Sequence, residues 1–502
     1  MEISSLTADE TLDETQPGPG RAERRRYVAA ALFILLLGAA IRGHALGRFS
    51  LGNDEIHEVR WSRLAWSRML AAVKAEGIHP PLDYFVQTLL DRCGVEAEWA
   101  RRVPSVVAGI VTLGLVMFLA GRWFGPPAAI AGGLLLALSP IHVRYSQEVR
   151  PYALGLMFLT GSLAFLEVYR GKPRAGWLGA VGWFFSVIAA AYTLYFAGLI
   201  AALASAAMIF AYRRTSLRRL WRALPLAAAA GIVLYIPWLP VVFAAAGKTP
   251  PGIEAERLDV SWAAARLEAF GTGDWKTQPV SAGSWAFWLL VAAGLFAARR
   301  SRLAAVAAFW LIAGVAVQVA ILHFRPHYPA ARYLLPSGIA ALLLASAGVA
   351  FAREKRPAYV ATLVALGLVL AFDVRTLRSY FEVGRPRWNE VAGFLRSRVQ
   401  PGERVIAANS WAYRNLGFYW IEAGAPAPAP LEKPPAELAG PAWVVLAVCP
   451  MSADSRAALD ELPLAAEFPF TNHAEIRYVP AGRTLRVSGM CLGDSQDYGG
   501  SE

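Results

Sequence analysis

Long apolar runs separated by short basic turns dominate the chain. The first spans Tyr27–Leu46, about 20 residues, the length needed to cross a ~30 Å hydrocarbon core. Further runs fall at about 103–121, 127–143, 151–168, 177–193 and 195–212. Others lie at about 223–243, 284–298, 303–322, 334–352 and 358–373. At roughly 17–25 apolar residues per crossing this predicts about eleven transmembrane helices. Two stretches break the pattern. In 48–102, Trp61, Leu64, Ala65 and Met69 recur at helical spacing among Arg60, Arg63 and Arg68, and Leu82, Phe85, Val86 and Leu89 follow the Pro80-Pro81 break. Both suit helices lying in the membrane interface.

The second stretch is the C-terminal part, 374–502. Trp388, Val391, Phe394 and Leu395 share one face of a helix over Arg387–Val399, stopped by Pro401-Gly402. Val405–Ala408 and Trp443–Val448 read as short buried strands and Ser452–Leu462 as a helix. Arg477–Val479 and Thr484–Val487 around Pro480-Ala481-Gly482 read as a hairpin. The expected organisation is therefore a cytoplasmic tail (1–26), a polytopic α-helical membrane domain (27–373, including the loop 48–102) and a small α/β extracytoplasmic domain (374–502). Gly424–Pro435 is expected as a loop within it.

Composition sharpens this picture. Of 502 residues, 56% are hydrophobic and only 17% charged, too apolar for a wholly soluble protein. The net charge of +12 would in a soluble chain raise nucleic-acid binding. Here the basic residues cluster in turns: Arg24–Arg26, Arg122, Arg170/Lys172/Arg174, Arg213–Arg222, Arg299–Arg302 and Arg353–Arg356. All fall on the cytoplasmic side if Tyr27–Leu46 enters from there, as the positive-inside rule requires. Nucleic acid is thus excluded as a partner, and the C-terminal domain is placed outside. There, of three cysteines, Cys449 and Cys491 are free to pair in an oxidising compartment, and Cys93 stands alone.

Four polar phrases fall on the outer side. Asp54-Glu55 follows the first span, where acids are costly unless solvated or paired; a solvated loop acid or a helix cap is the plainer use. His79-Pro80-Pro81 holds an imidazole at a rigid corner, although Pro-Pro also simply starts helices. In Arg144-Tyr145-Ser146-Gln147-Glu148-Val149-Arg150-Pro151-Tyr152, two arginines suited to forked phosphate recognition bracket an acid. Snorkelling explains the arginines but not the Gln147 and Glu148 between them. His323-Phe324-Arg325-Pro326-His327-Tyr328 with Arg332-Tyr333 adds cations beside a span entrance, where tyrosines belong in any case.

In this order and spacing, Asn53-Asp54-Glu55, His79-Pro80-Pro81-Leu82, Ser146–Tyr152 and Arg332–Pro336 resemble the GT-C superfamily of polyprenyl-phosphate-dependent glycosyltransferases, in particular bacterial relatives of protein O-mannosyltransferases and aminoarabinose transferases. The resemblance implies inverting transfer of a sugar from a polyprenyl-phosphate carrier to a hydroxyl of a protein, lipid or glycan, outside the bacterial inner membrane. It implies Asp54 as general base with Glu55 beside it. Arg144, Arg150, Arg332 and His79 would take the donor phosphate, His79 standing where aminoarabinose transferases carry lysine. Glu148, Gln147, Tyr152 and His327 would position acceptor or metal, a divalent cation being possible but not required. The competing classes are a transporter or flippase of lipid-linked sugars, which tends to show repeats absent here, and a non-catalytic envelope assembly component.

Overall fold

The computed structural model describes residues 21–171, 176–246, 282–324, 331–408, 410–422, 429–432, 437–447, 453–470 and 474–486. His327, Cys449 and Cys491 lie outside them; Cys93 is a free, exposed thiol. The first helix, α1, is Arg21–Gly43, and three short helices follow: α2 (Asn53–Ser62), α3 (Trp66–Glu76) and α4 (Leu82–Arg92). The single helical phase read through Trp61 and Met69 is therefore split between α2 and α3.

The bundle continues with α5 (Glu98–Phe124), α6 (Pro126–Leu138), α7 (Pro140–Ser146), α8 (Tyr152–Gly171), α9 (Trp177–Thr193) and α10 (Tyr195–Ala211). After these come α11 (Arg218–Tyr235), running through a 3-10 turn into α12 (Leu239–Ala246), then α13 (Ala282–Ala297), α14 (Arg302–Phe324), α15 (Leu335–Ala352) and α16 (Arg356–Val383). Among the described residues, seven helices are long and apolar enough to cross a membrane, or eight if α6 and α7 form one broken span. Three more apolar helices, α9, α10 and α13, are shorter. Among the described residues the seven long helices, the broken span and these three make eleven apolar segments, one for each expected run, of which seven reach full spanning length.

Two close approaches shape the bundle. Gly294 of α13 and Gly348 of α15 lie against the facing helix, where an added Cβ would fall 1.9 Å from Leu344 O and 2.4 Å from Leu290 O. Small residues let the backbones meet, the usual basis of packing between membrane helices. The second approach concerns the expected span 127–143, which bends by 63° between α6 and α7, where Pro140 opens the second helix. The break leaves carbonyls without helical partners. Buried Arg42 supplies them, donating to Leu136 O (2.9 Å) and Ala137 O (3.3 Å) and meeting His142 Nδ1 at 2.8 Å.

Helix α16 runs unbroken past residue 374, the expected start of the C-terminal domain, to Val383. Helix α17 (Trp388–Arg398) buries Trp388, Val391 and Leu395 against a five-stranded sheet ordered β2-β1-β4-β6-β5. Here β1 is Arg404–Ala407, β2 Leu431–Glu432, β4 Ala442–Leu446, β5 Leu464–Phe468 and β6 Ala474–Val479. The β2-β1-β4 part is parallel, and β6 is antiparallel to both β4 and β5. Helix α18 (Ser410–Gly417) follows β1, a π-helical turn Phe418–Glu422 follows it, and α19 (Ala453–Asp460) precedes β5. The expected hairpin around Pro480-Ala481-Gly482 does not form: β7 (Thr484–Arg486) pairs instead with β3 (Glu437–Ala439) in a separate two-stranded sheet.

This domain sits on the segment between α1 and α2. Ser50 Oγ accepts the Trp388 amide at 2.9 Å, Leu51 N donates to Tyr419 Oη at 2.5 Å, and Tyr419 Oη donates to Glu98 Oε1 at 2.8 Å. Leu51, Ile56 and Val59 share an apolar core with Trp388, Phe418 and Trp420, so the loop that carries Asp54 is held from both sides.

Candidate active site

Asp54 opens α2, in its first turn, where the helix dipole favours an anion. Its Oδ2 accepts Arg332 Nη1 at 3.1 Å, and its side chain is 40% exposed, open to a substrate. Arg332 comes from the turn Ala331–Leu334 that introduces α15. The third member is Arg150, between α7 and α8: its Nη1 is 3.4 Å from Asp54 O and 3.2 Å from Glu58 Oε2, and its Nη2 is 2.7 Å from His79 Nε2. Tyr152 ties the arginines together, its ring centroid lying 5.8 Å from the guanidinium carbon of Arg150 and 5.9 Å from that of Arg332, within cation–π range. Its hydroxyl meets no partner among the described residues.

The charges set the protonation states. Burial works against ionisation of Asp54, but Arg150 and Arg332 outweigh it and hold its carboxyl at about 2. His79 is pushed well below the ordinary histidine range, first by burial and then by Arg150 and Arg332. A neutral imidazole can accept from Arg150 through Nε2, which leaves the proton on Nδ1, an atom with no partner among the described residues.

Glu55 plays a different part from the one expected. Its Oε1 accepts Arg102 Nε (3.0 Å) and Val149 N (2.9 Å), and its Oε2 accepts Gly52 N (2.9 Å) and Arg102 Nη2 (3.3 Å). Arg102 also donates to the carbonyls of Leu46, Phe49 and Ser50. With both oxygens engaged and 3% exposure, Glu55 anchors the loop and has no lone pair left for an acceptor. Gln147 is equally committed: Nε2 donates to Arg42 O (2.8 Å) and His44 O (2.9 Å), and Oε1 accepts from Tyr380 Oη and Arg385 Nη1. These bonds pin the chain entering Arg150.

Arg144 and Glu148 pair with each other at 2.8 Å, and Arg144 lies over the ring of Tyr145, which packs on Tyr152 with centroids 4.8 Å apart. Among the described residues no group of three or more His, Cys, Asp or Glu side chains is placed to hold a metal ion. Sequence reasoning assigned no role to Arg102, Arg385, Glu58 or Tyr419. Glu58 alone carried a local signal, one helical turn after Asp54.

The chain has the GT-C fold. Residues 78–240 match the dolichyl-phosphate-mannose-protein mannosyltransferase family. The chain is similar to ArnT from Cupriavidus metallidurans in the apo state (TM-score 0.52, 17% identity, 90% of this chain and 97% of that one). It is similar also to the same protein bound to undecaprenyl phosphate (0.50, 16%, 93% and 100%). A further likeness is to the archaeal oligosaccharyltransferase AglB from Archaeoglobus fulgidus in complex with an inhibitory peptide and a dolichol-phosphate (0.53, 12%, 83% of this chain), of which it spans 65%. No curated protein matches the sequence.

Proposed function

We propose that the chain transfers a sugar, with inversion, from a polyprenyl-phosphate carrier to a hydroxyl acceptor on a protein, lipid or glycan. The reaction is assigned to the extracytoplasmic face of a bacterial inner membrane, with the N-terminus inside. The observation that carries the reading is the meeting of Asp54, Arg332 and Arg150 at one end of the helical bundle. The carrier phosphate binds Arg150 and Arg332, with Arg144 and His79 at its margin. The acceptor hydroxyl attacks the anomeric carbon as its proton passes to Asp54. The bond from that carbon to the phosphate oxygen breaks, and the electron pair leaves with the polyprenyl phosphate. Charge grows on the phosphate during this step, so fixed guanidiniums favour the transition state over the ground state.

The ion pair in the free protein gives the donor a second effect. A phosphate that draws Arg332 to itself leaves Asp54 with less opposing charge and therefore more basic, so the base strengthens when the donor is in place. Tyr152, beneath both arginines, keeps them together. The test incubates purified protein with radiolabelled polyprenyl-phosphate sugars and membrane extract. A labelled acceptor whose anomeric configuration is opposite to that of the donor supports the reading. Sugar carried across vesicles with no labelled product replaces it with transport.

A further inference from the structure

Arg150 has an acidic neighbour that the transfer reaction does not use. Helices α2 and α4 pack against each other, and their buried sides bring the carboxyl groups of Glu58 and Asp83 into one another's neighbourhood; neither residue is more than 2% exposed. Two ionised carboxylates buried side by side repel, and one shared proton relieves them. Glu58 Oε1 and Asp83 Oδ2 are buried oxygens with no donor among the described residues, and a shared proton answers that need. The other Glu58 oxygen takes Arg150 Nη1, while Arg150 Nη2 rests on His79. One arm of the guanidinium is thus on the acid pair, the other on the imidazole, and its Nε meets no acceptor among the described residues.

We propose that Glu58 and Asp83 are positioning residues for donor binding: they share one proton, present a single negative charge to Arg150, and so aim its guanidinium at the carrier phosphate. This rests on the reading above, in which Arg150 binds that phosphate. With no proton the pair would hold Arg150 with two charges and compete with the phosphate. With two protons it would leave a buried cation short of its counter-charge. The groups facing the pair are Arg150 from the α7–α8 connection, Glu76 from α3 and Tyr84 from α4; Glu76 is itself 3.1 Å from His57 Nε2, and His79 lies beyond Arg150. Burial, then the adjacent Asp83, raise Glu58 well above the ordinary carboxyl range, and burial raises Asp83. The proton is therefore held beyond the pH at which an ordinary carboxyl releases it, and is lost only as pH rises further.

The test measures binding of undecaprenyl phosphate to the full chain in detergent, without sugar or acceptor, from neutral to alkaline pH. Wild type should bind about tenfold more weakly at the alkaline end, on the scale of one charge-assisted hydrogen bond. Glu58→Gln keeps one charge on Asp83 and cannot ionise, so it should bind near wild type at neutral pH and lose the alkaline decline. The double variant Glu58→Gln/Asp83→Asn should bind about tenfold more weakly at every pH. Titration of the lipid phosphate is common to all samples and cancels in the ratio. Identical pH curves for wild type and Glu58→Gln, or unimpaired binding by the double variant, overturn the pair. So does a set of variants that changes only the unfolding temperature, the signature of a structural role alone. Wild-type binding by Arg150→Ala overturns the donor reading itself, whatever Glu58 does.

Discussion

Arg332 reaches back across 278 positions of sequence to place its Nη1 3.1 Å from the Oδ2 of Asp54. The carboxylate stays 40% exposed, and ion pairs of that exposure contribute little to stability. The pair is thus better suited to orienting a reactive group than to holding the fold. Asp54→Asn should abolish sugar transfer while leaving expression and unfolding temperature near wild type. Assay of the purified variant with lipid-linked sugar decides it, and near-wild-type turnover removes Asp54 from the mechanism.

The arginines also set the pH response. A carboxyl held at about 2 by Arg150 and Arg332 against burial stays ionised through mildly acidic pH and protonates only as pH falls through that value. Its contribution to stability is accordingly present above the unfolded carboxyl value, about 3.9, and is lost below it. Arg332→Ala removes one of the two guanidiniums, so the pKa of Asp54 should rise. The acid limb of the transfer rate should then move to higher pH than in wild type. A pH–rate profile with an unmoved acid limb would show that Arg332 does not act on Asp54.

Arg150 touches Asp54 through a carbonyl and His79 through an imidazole, but leaves the carboxylate of Asp54 to Arg332. Loss of its charge should therefore fall first on the donor, with a rise in the pKa of Asp54 beside it. Arg150→Ala is expected to raise the KM for the polyprenyl-phosphate sugar by tenfold or more, with a smaller change in that for the acceptor, as steady-state kinetics with each substrate varied in turn would show. Equal losses on both sides would mean that Arg150 only anchors the chain between α7 and α8.

The helical bundle was legible because long apolar runs and basic turns are local signals. The break between α6 and α7 was not, since apolar residues continue through Ser139-Pro140 and the partner that satisfies the freed carbonyls, Arg42, is about 95 positions away. Pro480-Ala481-Gly482 correctly marked a chain reversal, but a turn does not choose a strand's partner, and β7 crosses to β3. At the site, Asp54, Arg150, Arg332 and His79 were legible as chemistry and do come together. Glu55 and Gln147 misled because their saturation depends on Arg102 and Arg385, 47 and 238 positions distant. Sequence shows which groups can react; only the fold shows which are already engaged.

That distinction yields a prediction for Glu55 opposite to the one its position beside Asp54 invites. Its buried carboxylate, kept ionised against burial by Arg102 and Arg385, closes four hydrogen bonds that fix Gly52, Val149 and the Arg102 guanidinium. Removing one partner of such a buried pair leaves the other charge uncompensated, at a cost of about 3–5 kcal/mol. Glu55→Gln should therefore lower the unfolding temperature and the yield of folded protein, whereas the rate per folded molecule falls far less than in Asp54→Asn. Thermal unfolding together with active-site-normalised turnover separates the two cases. A Glu55→Gln protein that unfolds like wild type yet transfers no sugar would return Glu55 to the chemistry and leave the loop to be held by Arg102 and Tyr419 alone.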